Sequence, residues 1–178
     1  MLELEIYKPE VYDEETNEFS LPFVGLLKLE HSLRSISKWE SKWEIPYIGD
    51  KPKTDEQTLD YLRCMIVEGD EKSLTYLTRG NLETVAKYID AKMSATWFSD
   101  RGNRPPSREV ITSEVIYYWM VALQIDFQCQ DWHLNRLLTL IKVANEKNQP
   151  QKKMSKADLA ARNRELNAKR REQQRTSG

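Results

Sequence analysis

The chain opens with alternating apolar and polar positions. Leu2, Leu4 and Ile6 are separated by glutamates, which is the period-two pattern of a strand with one buried face. A second short extended stretch runs from Glu18 to Val24, and the polar segment Asp13 to Asn17 lies between the two. The pattern predicts a small N-terminal β-hairpin.

From Leu29 the apolar spacing changes to three and four residues, which is typical of an amphipathic helix. Pro46 cannot continue a helix, so the predicted helix ends before it. Its apolar positions are Leu29, Leu33, Ile36, Trp39 or Glu40, and Trp43.

The segment beginning at Thr54 has the form of a helix N-terminal capping box. The hydroxyl of Thr54 and the amide of Gln57 satisfy free backbone groups at a helix start, so a helix is predicted from Asp55 to Glu68. Three apolar residues then share one face of that helix: Leu59, Leu62 and Ile66.

The next stretch contains shorter signals. Ser73 to Leu77 fits one or two helical turns, and Asn81 is the predicted N-cap of a helix over Leu82 to Lys92. Met93 to Phe98 fits either a helix or a strand. Asp100 to Ser107 holds consecutive prolines and a glycine, which predicts an exposed loop.

Ser113 is the predicted cap of a helix that runs to about Gln124 and is apolar on almost every side, which is typical of a helix at the centre of a core. Asp131 is the predicted cap of a following helix, and the short connection predicts that the two helices form an antiparallel hairpin. The following helix carries apolar residues at Leu134, Leu137, Leu138 and Ile141.

The apolar stripe stops after Ala144, and the segment Asn148 to Gln151 has the composition of a linker. Ser155 to Asp158 resembles a second helix start, and the residues beyond it favour helix. Leu159 and Leu166 are too sparse to be buried within the chain, so this segment is expected to fluctuate when alone in water.

These patterns predict a mainly α (α+β) fold. Residues 1–148 are expected to form a compact, acidic, mainly helical domain with the small N-terminal hairpin, and residues 149–178 a basic, flexible, helix-prone tail. Charge supports this division: residues 147–178 hold ten Lys or Arg against three acids, a net +7, while residues 1–146 carry −8. Such asymmetry predicts that the tail binds an acidic surface of a protein, a nucleic acid or its own domain.

Catalytic and cofactor chemistry finds no support in the sequence. Cys64 and Cys129 belong to no paired metal-ligand spacing, and His31 and His133 lack further ligands at a recognisable spacing. Phosphate-cradling glycine motifs are absent, and no apolar run approaches the roughly 18 residues needed to span a bilayer. We therefore expect a non-enzymatic protein without cofactor, metal site or membrane contact, in a reducing cytoplasm.

Trp39 and Trp43 are candidate partner-binding residues. They lie four positions apart, and therefore on one face of the predicted helix, among charged neighbours. One interpretation is an exposed aromatic contact site. The favoured alternative is that they cover the core beside Leu33 and Ile36, because large aromatic side chains usually anchor cores.

The basic tail carries the other candidate partner-binding residues, Arg162, Arg164, Lys169, Arg170 and Arg171. Phosphate-binding segments often interleave aromatic residues with basic ones, and this tail contains acids but no aromatics. A protein partner is favoured over RNA or DNA. A merely solvated tail remains the third interpretation.

Several strings together resemble proteins of long-tailed bacteriophages known as tail assembly chaperones, and the resemblance covers nearly the whole chain. The strings are LEHSLRSISKWESKWE at Leu29 to Glu44, LDYLRCM at Leu59 to Met65, MSATWFSD at Met93 to Asp100, EVITSEVIYYWMVAL at Glu109 to Leu123, WHLNRLLTLIKVANEKNQP at Trp132 to Pro150, and the ending ARNRELNAKRREQQRTSG.

The resemblance implies a protein of the infected bacterial cytoplasm that is not part of the mature virion. It implies binding to the long helical tape measure protein, protection of that protein from aggregation, and recruitment of the major tail tube protein. Related systems make a longer product by translational frameshifting. The resemblance brings no catalytic residues. The alternatives are a structural virion component of the tail or connector and a nucleic-acid-binding protein acting through the basic tail, and self-association is also open.

Overall fold

A computed structural model of the chain describes residues 1–14, 17–49, 51–98, 110–148 and 156–174. The chain divides into two compact units, Met1–Asn145 and Glu146–Gly178. The described residues are mainly helical, with a small antiparallel sheet, so the predicted fold class is confirmed.

The sheet begins with an N-terminal hairpin, but its second long strand lies later than predicted. The stretch from Glu18 to Val24 supplies only a short strand, Glu18–Ser20, and the first residues of the long strand Phe23–Leu29. The two long strands of the hairpin pair antiparallel with Leu2 opposite Leu29, and a bulge between Ile6 and Tyr7 interrupts the register. A short two-stranded ribbon follows beyond the bulge. The strands are β1 (Leu2–Tyr7), β2 (Val11–Asp13), β3 (Glu18–Ser20), β4 (Phe23–Leu29) and β5 (Ile66–Glu68). Strand β5 pairs with the edge of β4 that β1 leaves free, giving the order β1-β4-β5.

One face of the long hairpin belongs to the core. Leu4 and Ile6 of β1, with Leu27 and Leu29 of β4, are buried, whereas the glutamates between the β1 leucines are exposed. The period-two pattern therefore describes β1 correctly.

Six α-helices and two 3₁₀ helices occupy the rest of the described chain. They are α1 (Leu33–Trp43), α2 (Asp55–Met65), a 3₁₀ helix (Glu71–Tyr76), α3 (Arg79–Asp90), α4 (Ser113–Ala122), a second 3₁₀ helix (Phe127–Asp131), α5 (Leu134–Asn148) and α6 (Lys156–Gln174).

Helix α1 starts later than the apolar spacing predicts. Leu29 is the last residue of β4, where it pairs with Leu2 on one side and Ile66 on the other. The helix begins after Ser32, whose hydroxyl accepts a hydrogen bond from Ser35 N. Leu29 fitted the helical spacing by coincidence, because its burial comes from the sheet.

Helix α2 has the predicted start and a shorter end. Thr54 and Gln57 form the capping box in both directions, as predicted. The predicted extension to Glu68 is wrong, because the backbone becomes extended at Ile66 and the next residues form β5. Glu30 N donates to Met65 O at 2.9 Å, and this hydrogen bond holds the end of α2 beside the sheet.

The following segment corrects two further predictions. The turn predicted near Ser73 is present as the 3₁₀ helix, but α3 begins after Thr78 rather than after Asn81. Asn81 is the third helical residue, and its side chain accepts a hydrogen bond from Thr78 N. Residues 93–98 form neither helix nor strand, and the loop predicted over Asp100 to Ser107 lies outside the described residues.

Helix α4 is not the all-round core helix that its sequence predicts, and Ser113 is not its cap: the N-cap position is Thr112, and Ser113 is the first helical residue. The helix packs chiefly on α1 rather than on α5, so the predicted helical hairpin is not formed. Ile116 and Met120 are fully buried, whereas Tyr118 is 69% exposed and Val121 is 59% exposed. One side of α4 therefore belongs to the core and the opposite side is an apolar surface.

Helix α5 buries Leu134, Leu137 and Ile141 along the predicted face. Asp131 is not its cap: that residue ends the second 3₁₀ helix and forms an ion pair with Arg34. The first turn of α5 is closed at its N-terminus by His133, whose carbonyl accepts from Leu137 N at 3.1 Å and whose Nδ1 accepts from Asn135 N at 3.3 Å.

Candidate protein-binding surfaces

The tryptophan pair of α1 serves the core. Trp39 is fully buried, and its Nε1 donates to the carbonyl oxygen of Gln57 at 2.8 Å. Trp43 is half-buried, and its Nε1 donates to the Asp60 carboxylate at 3.0 Å. Both indoles thus join α1 to α2. In the folded chain Trp39 is not available for a surface contact, in line with the favoured interpretation.

Asp60 accepts from Trp43 and is itself buried. Burial alone would raise the pKa of the Asp60 carboxyl, but hydrogen bonds from Lys42 and Trp43 and the charge of Arg63 outweigh it, so the pKa is lowered. The carboxylate is thereby held ionised in a structural network between α1 and α2.

The two histidines meet in the core. Their rings contact edge to face, with centroids 5.1 Å apart. His31 Nδ1 shares a hydrogen bond with the Tyr61 hydroxyl, and His133 Nε2 lies 2.9 Å from the Tyr88 carbonyl oxygen. Burial, and secondarily the proximity of His133, lowers the pKa of His31 to about 3. Groups of three or more metal-ligating side chains are not found among the described residues.

Both cysteines are poorly suited to nucleophilic chemistry. Cys64 is half-buried and Cys129 is buried. Burial raises the pKa of each thiol, so the reactive thiolate form is disfavoured at neutral pH.

The outer side of α4 is the first surface that the sequence interpretation missed. Tyr118 and Val121 lie three residues apart, so they share one helix face. Phe127, in the 3₁₀ helix that follows, is half exposed, and its ring stacks on Tyr117 with centroids 6.1 Å apart. We call Tyr118, Val121 and Phe127 the α4 surface. The signal was present in the sequence, since a helix that is apolar all round fits either a buried helix or one with a binding partner.

A second missed surface lies on the sheet. The outer part of the hairpin, comprising β2, β3 and the ends of β1 and β4 next to them, is here called the hairpin arm. It presents two exposed cross-strand aromatic pairs: Tyr7 with Phe23 at 5.5 Å between centroids, and Tyr12 with Phe19 at 4.9 Å. Its exposed large apolar residues are Tyr7, Val11, Tyr12, Phe19, Leu21 and Phe23.

The basic candidate residues of the tail all lie on α6. The side chains described along this helix, residues 160–171, are exposed without exception. Lys169 forms an ion pair with Glu165 at 2.9 Å. Because successive residues of a helix are 100° apart, the candidate residues point in several directions rather than along one stripe. They are Arg162, Arg164, Lys169, Arg170 and Arg171.

Comparison of the chain with protein-family models, curated proteins and solved structures finds no match. Among the described residues, each helix is too short or too polar to cross a membrane.

Proposed function

We propose that this chain is a tail assembly chaperone of a long-tailed bacteriophage. It binds the tape measure protein, keeps that protein from aggregating, and helps to recruit the major tail tube protein. It acts in the cytoplasm of the infected bacterium and is left out of the mature virion. The resemblance of its sequence strings, which are spread from Leu29 to Gly178, supplies the identity of the partners.

The observation that carries the proposal is the exposed α4 surface on a helix whose opposite side lies in the core. A large apolar side chain left in water loses about 1.5–3 kcal/mol relative to full burial, and an exposed apolar cluster is often a binding site. Tyr118 and Val121 have the spacing with which one helix packs against another. A long helical partner, which the resemblance implies, fits this surface.

The small size of the α4 surface suits a chaperone, because such a partner has to be released during assembly. Two or three apolar anchors support a contact at the weak, transient end of protein interfaces. The opposite charges of domain and tail add orientation and association rate rather than affinity. The proposal includes no chemical step and no cofactor.

The experiment is a pull-down of the tagged full-length chain from infected cells. Three forms are compared: the natural sequence, Tyr118→Ser with Val121→Ser, and the control Leu82→Ser, which alters an exposed apolar residue of α3. We expect the natural chain and the control to bring down the tape measure protein, and the double variant to lose most of it. Absence of both tail proteins from every pull-down contradicts the proposal.

Two alternative functions can be distinguished from a tail assembly chaperone by separate experiments. A structural virion component would appear in mass spectrometry of purified particles, whereas a chaperone is absent from them. A nucleic-acid-binding protein is favoured only by the exposed basic side chains of α6. If the protein bound phosphates, each neutralised phosphate would release counterions. The logarithm of the association constant would therefore fall steeply and linearly with the logarithm of the salt concentration.

A further inference from the structure

The hairpin arm is an apolar sheet surface without a partner in the described chain. Phe19 is 67% exposed and Phe23 is 60% exposed, although both belong to regular strands. The six large apolar residues of the arm leave on the order of 600 Å² of side-chain surface in water, which approaches the roughly 800 Å² that one partner contributes to a standard interface.

The arm is also acidic. Residues 7–23, which comprise it, contain five acids and one lysine, and therefore hold half of the −8 net charge of residues 1–146. The acids whose burial is described there are exposed: Glu10, Glu14 and Glu18. A polyanion such as a nucleic acid is repelled by this field, and a basic partner is attracted.

Helix α6 has the complementary chemistry. It is basic, its described side chains are exposed, and its arginines lie on several sides. Arginine is the side chain that best combines pairing to carboxylates with stacking on aromatic faces. The protein already has one such contact: the Arg136 guanidinium lies over the Trp132 ring at 4.1 Å.

We propose that the hairpin arm of one molecule binds helix α6 of a second molecule. Glutamates of the arm form ion pairs with the basic side chains of α6, and the arginine guanidinium groups stack on the aromatic rings of the arm. Because each molecule offers one arm and one tail helix, the contact is head-to-tail and extends to short chains or closes into a ring. The inference does not depend on the tape measure protein.

The test is sedimentation velocity of the full-length chain over a concentration series, at about 50 mM and about 500 mM salt. We expect concentration-dependent self-association that is at least about tenfold weaker at the higher salt, because exposed charge pairs are screened. A chain that stays monomeric up to about 100 μM at low salt overturns the inference.

Charge-reversal substitutions test whether the hairpin arm and α6 are the two contacting surfaces. Glu10→Lys with Glu18→Lys in the arm, or Arg164→Glu with Arg170→Glu in the tail, should each weaken association about tenfold or more. A mixture of the two variants should associate again, because the reversed arm matches the reversed tail. Phe19→Ser should weaken association without any change in charge.

The control is Glu56→Lys with Glu83→Lys, which makes the same charge change on α2 and α3. It should associate like the natural chain. Equal losses in the control and the arm variant, or no recovery in the mixture, contradict the assignment. The arm variants should still bring down the tape measure protein through the α4 surface, so failure here is distinguishable from failure of the chaperone proposal.

Discussion

Glu40 is the buried carboxylate that joins α1 to the start of α4. Its two oxygens accept hydrogen bonds from Tyr47 N and Ser113 N, each at 2.7 Å. The Thr112 side chain makes no capping hydrogen bond at the start of α4. Glu40 instead supplies the acceptor for a free backbone N–H group of the first turn. The carboxylate also complements the positive end of the helix dipole.

Glu40→Ala should destabilise the chain by about 2–4 kcal/mol, because it leaves the buried Ser113 N–H and the partly buried Tyr47 N–H without acceptors. Urea unfolding followed by circular dichroism measures the change. Lys38→Ala on the exposed side of α1 is the matched control and should stay within about 0.5 kcal/mol of the natural chain. Equal effects of the two substitutions would contradict this role of Glu40.

His31 makes stability depend on pH. The unfolded chain takes up a proton at this imidazole near pH 6.5, but the folded chain does so only near its pKa of about 3. Below pH 6.5 the unfolded state therefore binds more protons, and the free energy of unfolding falls as the pH falls towards 3. Between pH 7.5 and 5.5 the expected loss from this imidazole is about 1.4 kcal/mol.

The measurement is urea unfolding at both pH values for the natural chain and for His31→Gln, which cannot be protonated in this range. The variant should lose most of the pH dependence, whatever its stability at neutral pH. An unchanged pH dependence in the variant would show that His31 does not cause it.

At the scale of elements, Gly69 controls the turn that leaves β5. Its φ of +119° lies in the region that favours glycine, and an added Cβ would stand 2.7 Å from the Leu26 carbonyl oxygen and from Leu27 Cδ2. Gly69→Ala should cost roughly 2 kcal/mol or more in unfolding free energy. Gly49→Ala, where nothing lies within 4 Å of the added atom, should have little effect. A harmless Gly69→Ala would contradict the described turn.

Elements with local causes were predicted well from the sequence. The capping box at Thr54 and the apolar face of α5 depend on neighbours three or four residues away, and both are confirmed. Elements that depend on residues far away in the chain were not predicted. Ile66 continues the helical spacing of α2 but forms β5, because its backbone pairs with Leu29, which lies 37 positions earlier in the chain. Such pairing leaves no local signal in one sequence.

The candidate sites follow the same division. The apolar residues of α4 were visible in the sequence, but which of them face water depends on the packing of α4 on α1. The hairpin arm was missed for a related reason: the sequence indicated strands without showing that Phe19 and Phe23 lie outside the core.

At the scale of the whole molecule, the tail should be separable from the fold. The described side chains of α6 are exposed, so a chain that ends at Asn148 should unfold within about 0.5 kcal/mol of the full-length protein. Urea unfolding of both forms at low protein concentration measures this, since self-association would add its own stabilisation. A loss above about 1 kcal/mol would show that the tail contributes to the core.

The most direct measurement of the proposed function is the solubility of the tape measure protein expressed with this chain in bacteria. The natural chain and the control Leu82→Ser should keep most of the tape measure protein in the soluble fraction, and Tyr118→Ser with Val121→Ser should leave it aggregated. Equal solubility with the double variant would contradict the assignment to the α4 surface. A tape measure protein that aggregates equally with and without the natural chain would contradict the proposal that it is a chaperone.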